Sequence, residues 1–361
     1  MPGLAARSMR IAYFAHLNDG SASGVLRKLA GQAATWRADG HAVRVFVATR
    51  DRDGAWATRL GDSVVRRYGN AASRLSAMTG LVAATRDFRP DLVYVRWDLF
   101  YPQMLLFPRR APLVAEVNSD DLHEYALGGS RRARYNAWTR GLLLHRARAL
   151  VFVTSELAAA RSFRDFGALR RVVTNGIDLA AYPSLPAPVN DHPRLAFVGT
   201  ARQPWHGIDK VLRLAVLRPG WQFDIVGMDA GGFEATCNVS WHGSLDRPRV
   251  LGVLAQADVG IGTLALHRKS MTEACPLKVR EYLAVGLPVM YGYTDPDADR
   301  LKDHVLRIPN CESNVEEALA DIDAFVLRSM GARVPRSDIA HLDLASKEAE
   351  RLALFADIAQ R

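Results

Sequence analysis

Leu195-Ala-Phe-Val-Gly199-Thr-Ala-Arg202-Gln-Pro-Trp-His206-Gly207-Ile-Asp-Lys-Val-Leu-Arg-Leu-Ala-Val-Leu217 reads as three pieces joined end to end. The apolar run Leu195–Val198 suits a strand, Gly199 to Gly207 is a loop, and Gly207–Leu217 has a helical period. The same succession opens the chain, where strand Arg10–Ala15 passes through His16-Leu-Asn-Asp-Gly20-Ser-Ala-Ser23-Gly24 into a helix over Gly24–Gly40. In that helix Val25, Leu26, Leu29, Ala33 and Trp36 supply the apolar positions, and Gly40 suits a C-cap. A strand that enters a helix through a small-residue turn, once near the start of each half, is the opening unit of a parallel sheet wound with helices.

Working outward, strands at Val43–Ala48, Leu92–Val95, Leu113–Val117, Leu150–Thr154 and Arg171–Thr174 continue the first half, with a helix at Ala71–Phe88. The second half continues with strands Phe223–Val226, Val239–His242, Val259–Gly262, Pro288–Tyr291 and Val305–Ile308, and helices Pro248–Ala255, Pro276–Val285 and Val315–Phe325. The expected fold class is α/β, two Rossmann-like domains facing across a cleft, with ligands beyond the carboxyl ends of the strands. Between Tyr182 and Pro193 four prolines fall in twelve residues, too many for a helix or a central strand. This places an interdomain linker at 182–193, between a first domain over 1–181 and a second over 194–337. The tail 338–361 holds a helix within Asp338–Ala359 that can dock on either domain, the first included.

A chain of 361 residues is about twice the usual single domain, and 49% hydrophobic residues exclude global disorder. Lys plus Arg number 47 against 38 Asp plus Glu, a net charge of +9. Such a surplus favours phosphates, nucleotides, acidic lipids or nucleic acid as partners. Cys237, Cys275 and Cys311 show no CxxC spacing, so neither a disulfide framework nor a zinc site is indicated, which fits a reducing cytoplasm. The opening MPGLAARSMRIAYFAH lacks a signal-type apolar core, and Leu142 to Val153, the nearest approach to a membrane span, is broken by His145, Arg146 and Arg148. The expectation is a cytoplasmic protein able to sit on a membrane but not to cross it.

Three segments bear on chemistry. The Gly20–Gly24 turn and the Gly199–Gly207 loop each bring backbone N–H groups to a helix start, where a phosphate is welcome, and Arg202 and His206 flank the second of them. Glu273-Ala-Cys-Pro-Leu-Lys-Val-Arg-Glu281-Tyr-Leu-Ala-Val-Gly-Leu-Pro-Val289 holds two carboxylates around a proline-initiated helix. A carboxylate can accept from two adjacent hydroxyls, which suits a ribose or hexose diol; alternatively Glu281 pairs with Lys278 or Arg280 on a solvated face. The third segment, Arg131 to Arg148, is cationic and amphipathic. It suits an anionic bilayer, but Tyr135, Trp138 and Leu142 at i, i+3 and i+7 equally suit a helix packed on the sheet.

Taken together, the Asn175-Gly176-Ile177-Asp178 turn, the Val198-Gly199 to Trp205-His206-Gly207 loop and the Glu273-x7-Glu281 element resemble, in order and separation, the retaining GT-B glycosyltransferases of family 4. Tyr94-Val95-Arg96-Trp97 with Glu116-Val117-Asn118 resembles a subset of them. The resemblance runs from Arg10 onward and is strongest from Val172 to Val289. It implies a nucleotide-sugar domain in the second half and an acceptor-side domain in the first. Glu281 would hold the donor's ribose hydroxyls, Glu273 with the backbone at Pro276 and Leu277 would face the donor sugar, and Arg202 beside Gly199 would hold the diphosphate. Gly20, Ser23 and Gly24, with Glu116 and Asn118, would serve the phosphate and acceptor. His206 departs from the pattern, since many relatives have Lys there, and Lys278 is expected to share that charge. Where many relatives have a His-Asp pair this chain has Asn118-Ser-Asp120-Asp121, with His123 a distant substitute.

The resemblance implies transfer of a sugar, with retention and without a metal or cofactor, from a nucleotide-sugar co-substrate to a glycan, lipid-linked or small-molecule acceptor. An epimerase of the same fold is a second enzyme reading; a glycan phosphorylase would need a much longer chain. Nucleic-acid binding is a third, and it is disfavoured because the arginines are spread along the chain without aromatic interleaving.

Overall fold

The structure is a computed structural model that describes residues 8–18, 24–51, 55–167, 169–233 and 236–360. Its strands are β1 (Arg10–His16), β2 (Ala42–Thr49), β3 (Ser63–Arg67), β4 (Leu92–Arg96), β5 (Leu113–Val117), β6 (Ala147–Phe152), β7 (Leu169–Val172), β8 (Arg194–Val198), β9 (Gln222–Val226), β10 (Val239–Trp241), β11 (Val259–Ile261), β12 (Val289–Tyr291) and β13 (Val305–Arg307). The helices are α1 (Gly24–Ala38), α2 (Ala71–Phe88), α3 (Asp121–Gly128), α4 (Ser130–Leu144), α5 (Ser155–Ala159), α6 (Ile208–Leu217), α7 (Arg247–Gln256), α8 (Leu277–Ala284), α9 (Asn314–Glu317), α10 (Leu319–Ser329) and α11 (Leu344–Gln360). Among the described residues no helix is long and apolar enough to cross a membrane.

The chain divides into two compact units, Met1–Thr174 with Leu344–Arg361, and Asn175–Asp343. The first unit holds a seven-stranded parallel sheet of order β3-β2-β1-β4-β5-β6-β7, and the second a six-stranded parallel sheet of order β10-β9-β8-β11-β12-β13. In each, the chain runs outward to one edge and returns beside its first strand. The switch points therefore lie between β1 and β4 and between β8 and β11, where α/β sheets open a crevice beyond the strand ends.

The Gly199–Gly207 loop follows β8 at the second of those switch points, as the strand-turn-helix reading requires, whereas most of the Gly20–Gly24 turn lies outside the described residues. The proline-rich run does not divide the units, however. The boundary falls at Thr174 and Asn175, and 182–193 belongs to the second unit. It is tied there by Leu185 N–H to Val285 O at 3.1 Å, by Arg333 Nε to Pro186 O at 3.0 Å and by Asn190 Nδ2 to Gln256 O at 2.8 Å. Proline forbids regular structure, but its free carbonyls accept well, and the run lies along the second unit's surface. The expected tail helix starts six residues late, at Leu344, because Ala340–Leu342 is a 3-10 turn whose Leu342 O accepts from Ile177 N at 2.9 Å.

α11 is grouped with the first unit and completes its core. Leu354, Phe355 and Ile358 join Tyr13, Trp36 and Tyr94, with the Phe355 ring 5.3 Å from Trp36 and 5.1 Å from Tyr94. A buried polar chain runs through that contact. Tyr13 OH donates to Gln32 at 2.7 Å, Trp36 Nε1 donates to Glu348 at 2.8 Å, and Arg351 reaches both Glu348 and Glu116.

α4 is turned inside out relative to its apolar spacing. Asn136, Arg140, Leu143 and Leu144 are the buried residues, while Trp138 is 86% exposed and Leu142 51%. The cause is Asp121 at the start of α3, which accepts from Asn136 Nδ2 at 2.7 Å and from Arg140 at 2.6 and 2.9 Å. A buried carboxylate must be paired, and satisfying it orients the helix. The packing of Tyr135, Trp138 and Leu142 onto the sheet is thereby overturned.

Candidate active site

The second unit gathers the residues that suit a nucleotide diphosphate. β8 ends at Val198, whose N–H donates to Tyr282 OH of α8 at 2.7 Å, so the loop that follows is pinned to the helix carrying Lys278 and Glu281. Gly199 has no room for a side chain, since a Cβ there would lie 2.5 Å from the Phe197 ring and 3.0 Å from His206 Nδ1. From the other side Gly227, at φ +94°, comes so close that a Cβ would sit 1.9 Å from Gly199 O. Backbone approach of this kind admits only glycine. Gly207, at φ +73°, then turns the chain into α6.

Phe197 is the floor of this arrangement. The Lys278 ammonium lies 4.1 Å from its ring centroid and the His206 imidazole 5.5 Å. Lys278 has a half-exposed stem, but its Nζ is buried and makes no hydrogen bond, and His206 Nδ1 is likewise without a partner. Burial pulls the lysine down to about 7, against an opposing pull from Glu281. Burial first, and the Lys278 charge second, lower His206 to about 2, so its imidazole is neutral. A cation desolvated without a counterion is costly unless an anion can meet it. Lys278, rather than His206, is the group able to supply positive charge here.

α8 begins at Leu277 with Pro276 as its N-cap residue, which puts Glu281 in the second turn and Glu273 on the preceding loop, bridged to Thr294. Gly199, His206, Lys278 and Glu281 are thus brought together around two strand ends and α8. Arg202 is exposed, takes a left-handed φ of 61°, and has no partner among the described residues. The alternative pairing of Glu281 with Arg280 does not occur. Arg280 is wholly buried and donates to both oxygens of Asp295 at 2.7 Å and to Asn175 O at 3.1 Å. Asn175 in turn donates to Cys275 O at 2.6 Å, which ties the Asn175-Gly176-Ile177-Asp178 turn to the loop before α8.

In the first unit, Gly20 and Ser23 lie outside the described residues, and Gly24 begins α1. Glu116 is not a strand-end group open to an acceptor: it is fully buried, 2.8 Å from Lys28 Nζ and 3.4 Å from Arg351. Burial would raise its carboxyl, but Lys28 and Arg351 outweigh that and hold it at about 2. Asn118 accepts from the same Lys28 at 2.9 Å. Asp121 is spent on Arg140, and Asp120 accepts from Ser162 at 2.8 Å and pairs with His123 at 3.1 Å. Glu116 is therefore a structural charge, the counterion of Lys28.

Residues 22–181 match the model of Glycosyltransferase Family 4. Solved structures follow the rest as well. Sucrose-phosphate synthase from Thermosynechococcus elongatus is similar at 15% identity and a TM-score of 0.66, over 96% of this chain and 98% of that one. HepE from Anabaena, solved with UDP and glucose, is similar at 15% identity and a TM-score of 0.65, over 97% and 100%. The chain has the GT-B fold of these glycosyltransferases, and its residues 22–181 match a family 4 domain. The fold is shared more widely, since the UDP-GlcNAc 2-epimerase of Neisseria meningitidis is similar at 13% identity and a TM-score of 0.56, over 96% and 100%. No curated protein matches the sequence.

The first unit also holds a polar cluster that the motif spacing did not reveal. His16, the last residue of β1, places Nδ1 2.7 Å from Asp98, just beyond β4, and Nε2 against Tyr68 OH. Tyr125 OH donates to the same carboxylate. Burial pushes Asp98 up, but the His16 and Tyr125 hydrogen bonds prevail and hold it at about 2. The signal was available in the topology: His16 ends β1 and Asp98 follows the end of the neighbouring β4 at the switch point, although 82 positions separate them.

Proposed function

We propose that this protein is a glycosyltransferase that moves a sugar from a nucleotide-sugar donor, held by the second unit, to the hydroxyl of a glycan, lipid-linked or small-molecule acceptor, with retention and without a divalent metal. The observation that carries the reading is the buried, unpartnered ammonium of Lys278 beside the Gly199 turn and the Glu281 carboxylate. Positive charge there suits the departing diphosphate, and Arg202, together with the start of α6 at Gly207, adds to it. Glu281 is assigned to the ribose hydroxyls, and Glu273 with the backbone of Pro276 and Leu277 to the donor sugar. The bond from the anomeric carbon to the diphosphate breaks, the acceptor oxygen attacks from the same face, and the departing phosphate takes the acceptor proton. No carboxylate of the site is assigned as a covalent nucleophile.

Since the Anabaena relative was solved with UDP, UDP is the first nucleotide to titrate, followed by GDP and ADP. Glu281→Ala should weaken nucleotide binding, whereas Glu273→Ala should lower turnover more than binding. Losing one charge-assisted hydrogen bond in a buried site costs about 1.5–3 kcal/mol, roughly ten- to hundredfold. Calorimetry and initial rates separate the two, and wild-type values in both variants would remove the assignment. Proton NMR of the product formed in EDTA tests the rest. An α-linked product from an α-linked donor is expected; a β-linked product, or activity that only added metal restores, contradicts the mechanism. Turnover of the nucleotide sugar with no acceptor consumed would favour the epimerase reading.

A further inference from the structure

The inside-out orientation of α4 leaves an apolar face that no described residue covers. Trp138 and Leu142 share it with Tyr135, and the 3-10 turn Pro102–Leu106 packs beside it, with Leu106 57% exposed. Tyr135 OH donates to Phe100 O at 3.0 Å, and Arg146 donates to Leu105 O at 2.8 Å, so turn and helix are fixed to each other. On the other side the turn packs against α2. Single exposed leucines are ordinary, but a tryptophan, a tyrosine and leucines on adjoining elements form one patch.

The charge around the patch is predominantly positive. Immediately after the turn, Pro108 to Arg110 and the end of α2 enclose an open recess of about 780 Å³ lined by Arg86, Arg89, Arg109 and Arg110, with Asp87 as its one acidic residue. Arg131 and Arg134 are exposed on α4 itself. An aromatic and aliphatic patch bordered by arginines matches a bilayer surface, where tryptophan and tyrosine settle at the headgroup level and arginine meets lipid phosphate. A second copy of this chain would instead oppose arginine to arginine.

We propose that the outward face of α4, the Pro102–Leu106 turn and the arginine recess form a docking surface for an anionic lipid bilayer, with lipid phosphate entering the recess. The proposal is independent of the donor site, because all of its residues belong to the first unit.

Sedimentation of the full chain with sucrose-loaded vesicles tests it, comparing phosphatidylcholine alone with phosphatidylcholine containing a third phosphatidylglycerol. Binding to the mixed vesicles only is expected. It should weaken roughly tenfold or more in the Arg109→Gln/Arg110→Gln variant, in Trp138→Ser/Leu142→Ser, and on raising the salt. Thermal melting of the variants should match wild type because the altered side chains are exposed, and UDP titration should show an intact second unit. No wild-type binding, equal binding to both vesicle types, or wild-type binding by both variants would overturn the proposal. So would a lipid-free dimer that Trp138→Ser/Leu142→Ser converts to monomer.

Discussion

Lys278→Met should weaken UDP binding by roughly ten- to hundredfold, the effect of removing one buried charge-assisted contact, and it should also erase a pH dependence that the wild type shows. In the free protein Lys278 titrates at about 7. A bound diphosphate favours its charged form and raises that value, so binding takes up a proton. Wild-type affinity should therefore be greatest below about pH 7 and fall as pH rises through the bound-state value. Calorimetry in buffers of differing ionisation enthalpy reads the proton uptake directly. The variant is not expected to lose stability. The native state penalises the lysine's charge, fully below about pH 7 and not at all above its unfolded value near 10.4, so methionine removes a cost. A pH-independent wild-type affinity, or tight binding by Lys278→Met, would show that the ammonium does not meet the diphosphate.

Asp295→Ala should produce the largest loss of stability in the second unit. It takes from wholly buried Arg280 the carboxylate paired to it at 2.7 Å through both oxygens and leaves it only the more distant Asp297, at 3.6 Å. Breaking a buried pair by removing one partner costs about 3–5 kcal/mol, which for a unit of this size is a drop of roughly 6–20 °C in melting temperature. The double variant Arg280→Met/Asp295→Leu should recover part of that loss, because both members of the 2.7 Å pair are then removed, although buried Asp297 loses Arg280 at 3.6 Å. Recovery should be incomplete, since Arg280 also donates to Asn175 O at 3.1 Å. Calorimetric melting decides it. An Asp295→Ala melting temperature within a degree or so of wild type, or a double variant worse than the single, would contradict this account.

What could be read before the structure was whatever depends on residues near one another in the chain. The strand-turn-helix at Leu195–Leu217 and the carboxylate pair on either side of Pro276 are local patterns, and both stand where their spacing put them. β3 escaped notice because Ser63–Arg67 has two apolar residues and is a half-exposed edge strand. α4 was ambiguous because its orientation is decided by Asp121, a residue of another helix. The Arg280–Asp295 pair and the His16–Asp98 contact join residues from separate elements, and neither leaves a periodicity. The unit boundary was misplaced for a related reason: prolines mark where regular structure stops, not where one body of contacts ends and the next begins.

That boundary also sets an order in time. The second unit is a contiguous segment, whereas the first is built from both ends of the chain, with Trp36 and Gln32 bonded to Glu348 across 312 and 316 positions. As the chain leaves the ribosome, residues 8–174 emerge before 175–343, yet Lys28 and Glu116 wait for Arg351, and the Tyr13, Trp36 and Tyr94 rings wait for Phe355. The segment that emerges second can close its core while the earlier one still lacks a wall. The first unit is therefore completed after the second, by a helix written beyond it in the sequence.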